Sequence, residues 1–370
     1  MAKKRTTLPK DFKEILERNN LDELKAVFDS CDINAYERNS YKTPALCMYG
    51  ISEEFIEWLV QHGADIEAAN SYGRTALHIH AGVSQTRKVK KLLALGANIH
   101  TKDKYGNTVL HRACHRFDTV KLLIEHGANP LTKNDQGETP LIHLLSRCSN
   151  IDIAPTARVA ELLLQAGDQV TEAARMQVAR MGKNFEFYRK NFASDLLKET
   201  DQGLQKLYAL FNVSPAGQRM MHDGTSPIHV TADTWQRQFE ELWELLVPGR
   251  GHAQTVQGEV IRICGKVSRE ILDNGAANWS REYKKLPLAL PEYFAMGNPI
   301  DGQAIGSSFI HRVFNKNSNG KDEHTEMVTL ARNIGADSDE KALYRLCELS
   351  VKWVLANPQP IRLEKVNYTR

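Results

Sequence analysis

No stretch of this 370-residue chain approaches the roughly 18 consecutive apolar residues that a membrane-spanning helix needs, so no membrane partner is expected. An excess of one charge is missing too: 48 Lys and Arg against 45 Asp and Glu leave +3 at pH 7. A nucleic-acid binder would show a clustered basic face, and no nucleic-acid partner is expected. The six cysteines contain no Cys-x-x-Cys pair, the spacing common to many zinc and redox sites. Cys47, Cys114 and Cys347 lie among apolar neighbours and read as small core residues, and reduced thiols fit a cytoplasmic protein. Runs of alternating β-branched residues are absent, which leaves an all-α class. The opening Ala2-Lys-Lys-Arg-Thr-Thr7 has no apolar run behind it, so residues 1–7 read as a disordered basic tail rather than a signal peptide.

What the chain has is repetition. Tyr72-Gly-Arg-Thr-Ala-Leu-His78, Tyr105-Gly-Asn-Thr-Val-Leu-His111 and Gln136-Gly-Glu-Thr-Pro-Leu141 are versions of one phrase, with a worn copy at Tyr41-Lys-Thr-Pro44. Each is followed by a second phrase: His62-Gly-Ala-Asp65, Leu95-Gly-Ala-Asn98, His126-Gly-Ala-Asn129 and Gln165-Ala-Gly-Asp168. Gly73 to Gly106 is 33 residues and Gly106 to Gly137 is 31. Within one period, Asp103-Lys-Tyr-Gly106 reads as a turn whose Gly takes positive φ. Thr108 caps a short helix with Leu110, Ala113 and Cys114 on one side, and a second helix carries Val120, Leu122, Leu123 and Ile124. Gly127 ends that helix as a left-handed cap. Neither helix can bury its apolar side alone, so the units must stack.

This period and wording resemble the ankyrin repeat. The resemblance covers about residues 8–170 and implies a degenerate N-terminal cap followed by four repeats. Asp11–Leu16 and Leu21–Phe28 are expected as the helices of the cap, with Ser30-Cys-Asp-Ile-Asn-Ala35 as its closing phrase. The first full copy departs from the family, with Tyr41 where Gly is usual. The last has 40 residues from Gly127 to Gly167, and the excess is placed in a loop near Cys148–Pro155. In the family the Thr and His of this phrase tie one turn to the next, which assigns Thr75/His78 and Thr108/His111 to structure. His80, His115 and His143 lack the acidic neighbours of a zinc site, so no metal is expected.

From residue 171 the repeat wording stops. Residues 171–222 read as a helical connector and 223–370 as a helical C-terminal domain. Thr171–Met181, Asn191–Lys198 and Leu204–Phe211 are expected helices. Asp223-Gly-Thr-Ser-Pro-Ile-His229 is either a further diverged repeat or a turn that opens the new domain. Trp235, Phe239, Leu242, Trp243 and Leu246 form an apolar helical face expected in a core. Pro248-Gly-Arg-Gly251 breaks that helix and Thr255 caps the next. Its apolar side carries Val256, Val260, Ile263, Cys264, Val267 and Ile271, and its solvated side Glu259, Arg262, Lys266, Arg269 and Glu270. Gly302–Lys321 reads as a loop, and Asp337-x-x-Glu340 as the cap of a last helix that contains Leu343, Leu346, Leu349 and Trp353. The segments Leu245–Arg262 and Asn274–Trp279 resemble an uncharacterised bacterial helical domain over about residues 205–300, which implies a bacterial origin and no particular activity.

No constellation in this half defines an enzyme. Cys264 lies on an apolar face, away from any protease signature around His222 or His229. Gly249-Arg-Gly251 could cradle an anion but lacks the rest of a P-loop. Glu259, His311 and His324 are too scattered for a metal, and no cofactor is expected. The most site-like polar group is Gln257, Glu259, Asn274, Asn278 and Trp279.

The leading functional expectation is therefore a protein-binding module or adaptor. The family binds through its turn tips and the exposed face of its inner helices. That register assigns Asn70, Ser71, Tyr72, Lys102, Lys104, Tyr105, Lys133, Asn134 and Gln136 at the tips. Arg112, His115 and Arg116 lie along the inner helices. Tyr72 and Tyr105 are expected to project about 10 Å apart, the spacing of stacked helices. The basic residues outnumber acids at these positions, which favours a protein partner with an acidic patch. The alternatives are an enzyme in the C-terminal domain that the repeats supply with substrate, and a bacterial inhibitor or immunity-type protein.

Overall fold

The structure is a computed structural model that describes residues 4–83, 85–300, 323–364, 366 and 368. The expected 302–321 loop, His311 and the first three residues of the tail lie outside that set. Two compact units divide the chain, residues 1–185 with 193–216 and residues 186–192 with 217–370.

The first unit begins with strand β1 (Arg5–Thr7), where a disordered tail was expected. It pairs in parallel with β2 (Cys31–Tyr36). Lys4 Nζ donates to Phe28 O at 2.7 Å and Leu8 is buried, so the segment is anchored from both ends. Between the strands lie α1 (Phe12–Arg18) and α2 (Leu21–Ser30), the expected cap helices. Asn20 starts α2 by accepting the amides of Asp22 and Glu23. Phe12 and Phe28 meet edge to face and join the core at Phe55.

Four repeats follow. The outer helices are α3 (Glu53–Gln61), α5 (Thr86–Ala94), α7 (Phe117–Glu125) and α9 (Ile153–Gln165). Three of the inner helices are α4 (Ala76–Gly82), α6 (Val109–Ala113) and α8 (Pro140–Ser146). The small residues Ala81 and Ala113 are fully buried where α4 packs on α6. The inner helix of the first repeat is only a 3₁₀ turn, Ala45–Cys47. The backbone explains this and corrects the register read from sequence. Lys42, not Tyr41, holds the position of Gly73, with φ 48° against 74°. Pro44 then occupies the place of Thr75, and Cys47 that of His78. A proline has no capping hydroxyl, so the capping box of the later repeats cannot form. The extra residues of the last repeat also differ from expectation. They form a 3₁₀ turn at Asn150–Asp152 and lengthen α9, rather than a long loop.

The expected connector largely closes this stack. Helices α10 (Glu172–Tyr188) and α11 (Ser194–Phe211) follow, and α11 packs along α9. The two segments expected as separate helices from Asn191 onward are one helix. Lys206 pairs with Glu161, and Phe211, Leu207 and Val178 are fully buried.

The second unit is a helical core around α13 (Val256–Ser268), which packs against α12 (Trp235–Leu246), α14 (Arg281–Phe294) and α16 (Glu340–Ala356). Helix α15 (Glu323–Asn333) packs on α14 and α16. Thr255 caps α13 as expected. Gly265 gives α12 its close approach, since a Cβ there would stand 2.8 Å from a ring carbon of Trp243. No helix opens within Asp223–His229 as it does in the repeat phrase, and the Ile228 amide bonds instead to Pro358 O, so this is a turn and not a fifth repeat. Helix α14 was not legible because Pro287 and Pro291 lie inside it. Each removes one backbone donor, and burial of Leu286, Leu290 and Phe294 offsets that cost. The N-cap of α16 is Asp339, which accepts the Ala342 amide, two residues beyond the expected Asp337.

Candidate functional site

Each turn tip of the repeat stack is built by one polar side chain. Asn39, Asn70, Asp103 and Asn134 hold equivalent places. The Oδ1 atoms of Asn70, Asp103 and Asn134 accept the amides two and four residues on, at 3.0–3.1 Å. This fold-back presents the next residue and delivers the glycine with positive φ. Asn134, expected to face a partner, is therefore buried within its own turn and also donates to Asn107. The tips are then sewn together: Ser71, Lys104 and Asp135 amides donate to Tyr41, Tyr72 and Tyr105 carbonyls at 2.8, 2.9 and 3.1 Å.

Behind the tips, the Thr–His pairs act as the resemblance implied. His78 and His111 complete capping boxes with Thr75 and Thr108. Their Nε2 atoms donate to Asn107 O and Glu138 O of the following repeat, at 3.3 and 2.9 Å. Burial lowers both imidazoles to about 4, so both are neutral near pH 7. In the first repeat Cys47 Sγ makes the weaker equivalent contact, 3.9 Å from Arg74 O. His80 is spent on Gln85 and Leu46 O, and His143 on Glu138. Among the described residues no three His, Cys, Asp or Glu side chains gather as metal ligands.

The tyrosines differ from expectation. Tyr72 and Tyr105 rings lie 6.4 Å apart and stacked, not 10 Å apart, and Tyr41 continues the column at 5.8 Å from Tyr72. The tip-to-tip hydrogen bonds draw them in. Tyr41 and Tyr105 are half exposed, whereas Tyr72 is mostly covered, with Arg74 over its ring. Lys102, Lys104, Lys133, Gln136 and Arg116 are exposed. Lys102 Nζ bridges to Lys133 O at 3.0 Å, and Gln136 accepts from Arg147 at 3.1 Å. Arg112 and His115 are half-buried on the inner helix side.

A cleft of about 510 Å³ opens where the first two tips meet the inner helices, with α1 at its end. Its floor is Leu16, Met48 and Ile79, and its walls are Tyr41, Tyr49 and Tyr72. The cleft escaped the sequence reading because the first repeat was set one residue out of register. Correct register would have placed Tyr41 at a tip and Met48 opposite Ile79.

In the second unit the site-like polar group separates into two structural knots. Gln257 donates to Asn357 O and Gln359 O and accepts the Ile361 amide, which clamps the C-terminal segment. Glu259 and Arg262, expected on a solvated face, are 0% and 1% exposed and pair at 2.6 Å, because α13 is covered on every side. Tyr368 Oη donates to Glu259 at 2.6 Å. Burial works to raise the Glu259 carboxyl, but Arg262, Tyr368 and the Ala253 amide together hold it below the usual range. Glu270 is buried as well and gathers Asn274 and Asn278 in a loop knot. Cys264 is buried with its Sγ 3.2 Å from Ser350 Oγ, and the hydrogen bond with Cys347, followed by burial, pushes its thiol up. His222, Gly249 and Arg250 share a second cleft of about 440 Å³, which does not include Cys264.

Comparison with known proteins agrees with the first unit. The family model for ankyrin repeats, three copies, matches residues 79–172. The Arabidopsis thaliana protein XBAT35 is 41% identical over 98 residues, which cover 25% of this chain and 21% of that protein. Human and mouse NF-kappa-B inhibitor zeta are 36% identical over 100 residues, which cover 24% of this chain and 14% of theirs. The chain thus matches only a minor part of each relative. With tips, capping boxes and inter-repeat hydrogen bonds all in place, residues 79–172 of this chain are ankyrin repeats.

Proposed function

We propose that this protein is a cytoplasmic protein-binding adaptor that holds a partner bearing an acidic patch against the tips and inner-helix face of its repeats. The observation that carries this is the charge of that face: Lys102, Lys104, Lys133 and Arg116 are exposed, and Arg112 is half-buried there. Repeats of this kind are interaction modules, and NF-kappa-B inhibitor zeta, which is similar over 100 residues, is named for an inhibitory action on another protein. Cations at a rim govern the rate of encounter, and aromatic and arginine side chains at its centre govern how long the complex lasts.

The test is affinity capture by the full-length protein from extracts of its own cells, against a variant with Lys102→Glu, Lys133→Glu and Arg116→Glu. Captured proteins should fall by about tenfold at low salt, with thermal unfolding unchanged. An identical set of proteins captured by both forms would rule out the repeat face as the binding surface.

A further inference from the structure

Two features of the repeat unit lie side by side and remain unused by its own packing. The first is the cleft walled by Tyr41, Tyr49 and Tyr72. Tyr49 is 61% exposed and Tyr41 51%, while the floor beneath them is apolar. Charges at its rim balance, since Lys13 and Arg74 line it together with Glu17 and Glu37, and Lys13 pairs with Glu37 at 2.6 Å. A neutral, tyrosine-walled recess with an apolar floor suits one large uncharged side chain.

The second is Arg112, on the next inner helix. Its neighbours include Arg74 and Tyr49, both of which line the cleft. Its Nε is buried and makes no hydrogen bond. No ion pair forms at its guanidinium among the described residues, although Asp103 is near and already shared by Arg74 and the turn amides. Burial lowers the pKa of this arginine, the signature of a charge taken part-way out of water without a full partner. A carboxylate supplied from outside would restore what the fold leaves unmade, and a guanidinium fork binds one in bidentate fashion.

We propose that this face binds an extended peptide segment of a partner, with one aromatic or leucine side chain in the Tyr41–Tyr49–Tyr72 cleft and an Asp or Glu about three residues away on Arg112. The spacing follows from geometry. Adjacent inner helices stand about 10 Å apart, and an extended chain advances about 3.3 Å per residue. The proposal deepens the adaptor reading and rests on it, since it assumes that the repeat face is where partners bind.

The test uses the full-length protein to select from phage-displayed short random peptides, followed by titration of the selected sequences as synthetic peptides. Selected peptides should share an aromatic or leucine residue with an acid about three positions away. Tyr49→Ala and Arg112→Gln should each weaken binding about tenfold while thermal unfolding stays unchanged. Arg112→Glu should abolish binding, and a peptide with Lys in place of the acid should regain it on that variant. Peptides without an acid, or peptides held equally by Tyr49→Ala, overturn the proposal. If those same peptides are lost on Lys102→Glu with Lys133→Glu, the adaptor reading survives while the cleft assignment fails. A selection that returns no peptide also overturns it and leaves the adaptor reading to the capture experiment.

Discussion

The two units settle their buried polar groups over different distances along the chain. In the repeats, His78 reaches a carbonyl 29 residues on and His111 one 27 residues on, each in the neighbouring copy. In the second unit, Glu259 meets Tyr368 across 109 residues and Gln257 meets Ile361 across 104. A bond that recurs with the repeat period leaves its mark in the sequence as a phrase. A bond made once, between distant segments, leaves none. The repeat is also a set of near-independent interfaces, while the helical core closes on the buried Glu259–Arg262 ion pair.

The sharpest break in that comparison is Arg262→Ala. It leaves Glu259 buried without its cation and should cost the second unit about 3–5 kcal/mol. Chemical denaturation with a tryptophan probe should show this, as Trp235, Trp243, Trp279 and Trp353 lie in or against that core. A loss below about 1 kcal/mol would mean that water reaches the pair.

Acid should act on the repeats through His78 and His111. Their folded pKa values of about 4 lie below the ordinary 6.5, so the unfolded chain takes up protons first. Their contribution is complete above pH 6.5 and falls away as pH drops toward 4, by up to about 3 kcal/mol for each. Substitution of both by Gln should flatten this slope between pH 6.5 and 4. An unchanged slope would place the titration in the other repeat histidines, His80, His115 and His143, whose pKa values burial also lowers.

Two glycines with similar φ sharpen the picture within the repeats. A Cβ on Gly106 (φ 72°) would stand 2.7 Å from the Asp135 amide nitrogen of the next tip, whereas one on Gly137 (φ 75°) meets nothing. Gly106→Ala should therefore cost about 2–3 kcal/mol and Gly137→Ala about 1 kcal/mol, measured by thermal unfolding. Equal costs would show that backbone strain alone decides both. The smallest effect belongs to Cys264→Ser, about 1 kcal/mol, because Ser350 Oγ at 3.2 Å can satisfy the new hydroxyl. A larger loss would show that Ser350 does not accept it.

Legibility followed the same division. Thr108, His111, Gly106 and Gly127 were readable because each recurs in a neighbouring copy with a stated conformational task. Tyr41 and Lys42 were misread because the first copy lacks both glycine and histidine, and only the tip-to-tip hydrogen bonds set its register. Asn134 was taken for a contact residue although Asn70 and Asp103 repeat at its spacing, a sign of a turn-building role. In the second unit the apolar face of α13 was visible. Its charged face was misjudged, since period alone cannot tell a solvated row from one covered by α14, α16 and the C-terminal segment.

What the sequence determined by itself is the repeat: its period, its capped inner helices and its left-handed glycines. These depend on φ, on short-range hydrogen bonds and on apolar spacing, all of which act within a few turns of chain. Tertiary structure alone decided that the tyrosines stack into a column, that α11 covers α9, that Glu259 and Arg262 are buried and that a cleft opens beside Arg112. Each of those depends on which surfaces meet and how closely, which no short-range rule along the chain fixes.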